Sequence, residues 1–221
     1  MPKKKGANKI PVKPAFRIFC EGEKTEPAYI KAYINYFHSE NRRLIVVEDT
    51  KKNTPVQLVE VAVREKKLSD DNDIYWVVFD RESNAKYSNE LHLKAIKNAK
   101  KNGIEIAFSN VCFEYWFLLH FAFTDAAYDC CDSLLRQSQL KKKLEEVGIE
   151  DYDKGFPFIF DKLKDKIPDA FTHAERLKKT ALATAEKGKD APCYLNPYVD
   201  VHELFLDMKQ FSSGLKSVRA K

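Results

Sequence analysis

The chain has 221 residues, 44% of them hydrophobic and including 15 Phe and 10 Tyr, enough to bury a sizeable core in one large domain or one domain with an appendage. Lys and Arg (38) nearly balance Asp and Glu (33), leaving a formal net charge of +5, a cationic tilt that permits a polyanionic partner without requiring one. No apolar run is long enough to span a membrane and no apolar segment follows the charged N-terminus, so a cytoplasmic protein is expected.

In chain order, Lys3, Lys4, Lys5 and Lys9 mark residues 1–14 as a flexible basic tail. A first strand is predicted at Phe16–Cys20, ending in Glu21-Gly22-Glu23. Thr25 is placed to cap a helix with Glu26 and Pro27 in its first turn and an apolar face at Tyr29, Ile30, Tyr33, Ile34 and Phe37. Leu44–Val47 reads as a second strand, and a second helix opens around Asn53-Thr54-Pro55 with Val56, Leu58, Val59 and Val63 inward. The third strand, Ile74–Phe79, ends in Asp80-Arg81-Glu82. A third helix has Leu91, Leu93, Ala95 and Ile96 among its apolar positions and closes at Lys100, Lys101 and Gly103; Ile104–Phe108 is the fourth strand. This alternation implies an α/β core over residues 15–125, a mostly parallel sheet flanked by helices. An aromatic helix is predicted at Phe113–Phe123. Residues 126–221 read as a helical extension packed on the core. It holds charged amphipathic helices at Leu134–Val147 and Ala174–Lys187, divided by Phe156-Pro157-Phe158, and a last helix at Val201–Phe211 after the Asn196-Pro197 turn.

The chemistry is suggested where strands end in acid. Reactive groups in α/β proteins collect at the carboxyl ends of the strands. On an extended segment Asp80 and Glu82 share a side, and Glu21 reaches them if its strand is a neighbour. Three carboxylates together repel unless a hard cation such as Mg²⁺ sits among them. One or two such ions suit phosphodiester cleavage, two lying about 3.5–4 Å apart. The plainer reading is that these acids cap helices or face solvent. Five cysteines (Cys20, Cys112, Cys130, Cys131 and Cys193) in an odd count, without paired metal spacing, point to reduced thiols and give a zinc site little support. No GxxxxGK[ST] loop is present, so the chain is not itself a P-loop ATPase.

The run Cys20-Glu21-Gly22-Glu23-Lys24-Thr25-Glu26-Pro27, then Phe79-Asp80-Arg81-Glu82, then Ser109 to Phe121 with its Phe113-Glu114-Tyr115-Trp116 centre, resembles the motifs of RloB-like proteins; Asn196-Pro197 and Val201-His202-Glu203-Leu204 resemble their ending. The resemblance covers roughly residues 16–206. It implies a TOPRIM-type domain in which a strand-end Glu and a DxD pair hold Mg²⁺ or Mn²⁺ for chemistry on DNA or RNA. It also implies a role in prokaryotic anti-phage defence, often beside an ATPase partner. Carried onto this chain, the catalytic and metal-holding residues are Glu21, Asp80 and Glu82, with Glu82 departing from the second Asp of the pattern.

Auxiliary candidates surround these. Glu23 shares the parity of Glu21 and is an alternative ligand; Lys24 is a phosphate contact or a solvated loop lysine; Glu26 suits a structural role at the positive end of its helix. Asn110 and Glu114 could orient a phosphate, water or metal, or serve as cap and first-turn acid. His120 could shuttle a proton or sit hydrogen-bonded in the core. The leading expectation is a metal-dependent nuclease. Beside it stand a non-catalytic nucleotide- or nucleic-acid-binding or sensor module working with an ATPase, and a structural subunit that forms homo-oligomers.

Overall fold

The computed structural model describes residues 13–51, 54–69, 72–83 and 85–219. Almost all of the predicted basic tail, and Asn53 at the second helix start, lie outside them. Four parallel strands, β1 (Phe16–Cys20), β2 (Ile45–Glu48), β3 (Ile74–Asp80) and β4 (Glu105–Asn110), alternate with α1 (Thr25–Phe37), α2 (Pro55–Leu68) and α3 (Asn89–Lys101). The short β5 (Tyr198–Val199) pairs antiparallel with β4, and the spatial order is β2-β1-β3-β4-β5. The α/β class and mostly parallel sheet expected from the alternation are present.

Helices on both faces explain why β1 and β3 are buried almost continuously. On one face α1 packs with the C-terminal helices α4 (Glu114–Leu119), α8 (Ile167–Ala183) and α9 (Val201–Arg219) in one apolar cluster. On the other, α2 and α3 cover Phe19, Val77, Phe79 and Phe108. The chain leaves β1 over one face and β3 over the other. The gap between these adjacent strands is therefore the topological switch point, where the crossing connections leave a crevice at the carboxyl ends. Aromatic packing fixes the C-terminal part in place: Tyr33 stacks on Phe205 at 4.1 Å between ring centroids, and Trp116 lies 5.8 Å from the same ring. Each such ring, fully buried, contributes about 1.5–3 kcal/mol relative to exposure.

Several boundaries differ from the sequence reading, each for a local reason. Thr25 lies inside α1 and makes no cap, whereas Thr54 and Gln57 form a reciprocal capping box on α2, with 3.0 and 3.4 Å bonds. The centre of α3's buried face is His92, Ala95 and Ala99, with the His92 ring nitrogens against Ser88 O at 3.1 Å and Asp80 O at 3.2 Å. The aromatic helix is only α4. The Leu134–Val147 helix is two, α5 (Cys131–Gln137) and α6 (Leu140–Glu146), because the Ser138 hydroxyl accepts the Leu140 N–H at 3.1 Å and starts a new helix. A further short helix, α7 (Ile159–Leu163), follows the Phe156–Phe158 stretch, α8 begins seven residues before Ala174, and α9 runs on to Arg219. The two-residue β5 is too short to show alternation. Among the described residues no helix is long and apolar enough to cross a membrane.

Candidate functional site

Glu21 continues β1 by one residue, its N–H bonded to Val78 O at 2.9 Å, and Asp80 is the last residue of β3. Their side chains meet across the switch point, where Glu21 Oε2 accepts the Asp80 N–H at 3.4 Å. Asp80 Oδ2 accepts the Phe113 N–H at 3.1 Å, while Oδ1 is buried and has no hydrogen-bond partner among the described residues. A buried carboxylate oxygen without a donor is uncommon and asks for a ligand.

Glu82 reaches the same cleft by a different route from the one its spacing suggests. The strand stops at Asp80, and Glu82 adopts a left-handed φ of 56°, with its N–H bonded to Val111 O at 2.9 Å. Arg81 is anchored away from the cleft, donating to Tyr87 O at 2.6 Å, Asn89 Oδ1 at 2.9 Å and Cys193 O at 3.2 Å. A turn held by Arg81, with a non-glycine residue in a costly conformation, delivers Glu82. Its Oε1 accepts from Lys86 Nζ at 2.8 Å, so one of the three expected acids is already paired with a lysine.

The cleft, about 240 Å³, is also lined by Glu26, Glu114 and, at its rim, Glu23, bringing six carboxylates together, with Lys24, Lys86 and Lys154 as its cations. Glu21, Glu26, Asp80 and Glu114 are each no more than 8% exposed. Burial, reinforced by Glu82 and Glu26 against the opposing pull of Lys86, lifts the Glu21 carboxyl to about 7. Burial together with Glu114 lifts Glu26 to about 7, against a bond from its own N–H. Asp80 is raised well above the carboxylate range by burial first, then by Glu26, Glu114, Glu21 and Glu82. Burial works against the Lys154 ammonium, yet the facing Glu114 raises its pKa. The arrangement is an excess of negative charge held out of water, which a cation relieves. The donors around Asp80 are carboxylate oxygens, the set that suits a hard divalent ion, and the orphaned Asp80 Oδ1 fits such an ion.

Glu26 and Glu114 carry more of the site than their helix positions suggest. Glu26 lies against the loop because Gly22 is there: a Cβ at Gly22 would overlap the Glu26 carboxylate. Glu114 accepts from Tyr152 OH and from Cys131 Sγ, both at 3.2 Å, partners 38 and 17 residues away that no local spacing reveals. Glu23 and Lys24 are exposed on the cleft rim. Asn110 is elsewhere. Its amide donates to Leu195 O at 2.6 Å, and it lines a larger hollow, about 750 Å³, that lies beside the cleft and shares Glu82 with it. His120 is also outside the cleft: its ring nitrogens meet Trp116 O and Tyr29 OH, each at 2.9 Å, and burial lowers its pKa to about 3.

No curated protein and no solved structure matches the chain significantly. The model of the family described as RloB-like protein matches residues 16–208, most of the chain, and with the motifs around Glu21, Asp80 and Glu114 gathered at one cleft, the protein belongs to the RloB-like family.

Proposed function

We propose that this is a TOPRIM-type phosphodiesterase that uses Mg²⁺ or Mn²⁺ to cleave DNA or RNA, as the effector of a prokaryotic anti-phage defence system with an ATPase partner. The observation that carries this reading is Asp80 Oδ1, buried without a donor and surrounded by the carboxylates of Glu21, Glu26, Glu82 and Glu114. Glu21, Asp80 and Glu82 are the assigned ligands, with Glu26 and Glu114 adding charge behind them. When bound, a divalent cation supplies polarisation of the phosphoryl oxygen and activation of a water. Lys86, displaced from Glu82, and Lys154 are placed to neutralise phosphate charge, and Lys24 on the rim meets the incoming backbone. The hollow beyond Glu82 gives the flanking nucleotides a place to lie.

The test is cleavage of single- and double-stranded DNA and RNA by the purified chain with Mg²⁺ or Mn²⁺, with and without chelator. Turnover that needs the ion and vanishes in Asp80→Ala supports the proposal. Turnover that persists in Asp80→Ala defeats it. The Lys86–Glu82 ion pair favours a second reading, a non-catalytic module that binds a metal–nucleotide or nucleic-acid end. Tight, ion-dependent binding without turnover selects that reading.

A further inference from the structure

Cys112 and Glu114 lie two residues apart and Cys131 seventeen further on, and their ligand atoms all lie within 4.8 Å of one another with all three residues buried. They come from three places: the turn after β4, the first residue of α4 and the first residue of α5. Cys131 Sγ is 3.2 Å from Glu114 Oε2, and the second Glu114 oxygen is held by the Tyr152 hydroxyl at 3.2 Å. In a tetrahedral site with about 2.3 Å to sulfur and 2.0–2.2 Å to oxygen, neighbouring ligand atoms stand about 3.4–3.8 Å apart. The Cys131–Glu114 edge is already near that length, so little motion is needed to close the set.

We propose that Cys112, Glu114 and Cys131 form a binding site for a soft divalent ion, Zn²⁺ by its chemistry, seated behind the acidic cleft and sharing Glu114 with its wall. Two thiolates disfavour Mg²⁺ and Ca²⁺ and select zinc-like ions, so this site and the all-carboxylate cleft sort metals by ligand softness. On loading, each thiol loses its proton to solvent as a metal–sulfur bond forms. Tyr152, bonded to the carboxylate oxygen opposite Cys131, is the kind of outer partner that fixes a ligand's orientation. The consequence for the fold is a clamp: the ion ties the starts of α4 and α5 together and fixes Glu114 relative to Asp80. The inference does not depend on phosphodiester cleavage.

The experiment is a Co²⁺ titration of the reduced full chain, read by the near-ultraviolet thiolate-to-cobalt charge-transfer band and by metal content after Zn²⁺ competition. The expected result is one equivalent of cobalt giving the band, displaced by Zn²⁺ and not by Mg²⁺. The band disappears in Cys112→Ser and in Cys131→Ser, survives in Cys130→Ser and Asp80→Ala, and forms with about 10-fold weaker affinity in Tyr152→Phe. Absence of the band in the wild-type chain overturns the proposal, whatever the variants do. So does a band that persists in both Cys112→Ser and Cys131→Ser.

Discussion

Asp80 and Asp200 are acids of equal burial on either side of β4, and they have opposite surroundings. Asp200 accepts the Phe108 N–H at 2.5 Å and the Tyr198 hydroxyl at 3.2 Å, and Lys178 lies close enough to favour its charge. Asp80 has one donor, one orphaned oxygen and the charges of Glu26, Glu114, Glu21 and Glu82 acting against its own. Burial raises both, Asp200 to about 7, so burial alone does not distinguish a structural acid from a site. What distinguishes them is the supply of donors and the sign of the neighbouring charges. Asp200 stitches the start of α9 to β4; Asp80 is left incomplete.

The largest effect should come from activity. Asp80→Ala is predicted to lower ion-dependent cleavage by about 10²–10³-fold or more, the scale on which removing one preorganised charge-stabilising group acts. Asp200→Asn, which keeps the shape and an acceptor for Phe108, leaves the rate near wild type; equal losses in steady-state assays would erase the distinction.

Next is pH. Glu21 and Glu26 sit at about 7 when folded, against about 4.3 for an unperturbed glutamate. Between those values the folded chain holds protons that the unfolded chain has released, so the stability of the metal-free protein falls as pH rises from about 4.5 through 7. The loss is on the order of a few kcal/mol for each of the two carboxyls, at about 1.4 kcal/mol per pK unit. Urea denaturation in chelator should show this fall, and added Mg²⁺ should restore stability above pH 7 and not at pH 5. A rising or flat metal-free profile over that window would count against the charge excess.

Stability at fixed pH sharpens the contrast in the opposite sense. Asp200→Ala strands two buried donors and is predicted to cost about 2–3 kcal/mol. Asp80→Asn removes a repelled charge and should leave the metal-free chain as stable as wild type, or up to about 1 kcal/mol more stable, as expected where function is bought with stability. Chemical denaturation of the two variants side by side reads the difference. The smallest effect is at Lys86: Lys86→Ala removes the cation that pairs Glu82 and should tighten Mn²⁺ binding about two- to fivefold, the scale of a partly exposed ion pair.

The sheet and its switch point are legible because β1 and β3 are near-continuous apolar runs and each ends in a distinct acidic turn. Glu21 and Asp80 could therefore be placed together from sequence: neighbouring strands bring their ends together. Glu82 lines the same cleft, though not by the route its spacing suggests. The pleat ends before it, and the Arg81 anchor that turns it depends on Tyr87, Asn89 and Cys193. Glu26 looked structural because a first-turn acid is usually explained by the helix dipole; its closeness to Glu114 is a tertiary fact. The Cys112–Glu114–Cys131 group lies beyond spacing rules because Cys131 is brought to Glu114 across seventeen residues by packing alone. His120 illustrates the reverse: an inviting residue beside a motif acid, yet helical rotation turns it into the core against Tyr29.

In the proposed function Asp80 completes its coordination with a hard divalent ion. Mn²⁺ binding followed by electron paramagnetic resonance, on wild type, Asp80→Asn, Asp200→Asn and Cys112→Ser, tests it most directly. Saturable binding is expected in wild type, Asp200→Asn and Cys112→Ser, with its loss in Asp80→Asn. Undiminished binding by Asp80→Asn, or no binding by the wild-type chain, would contradict it.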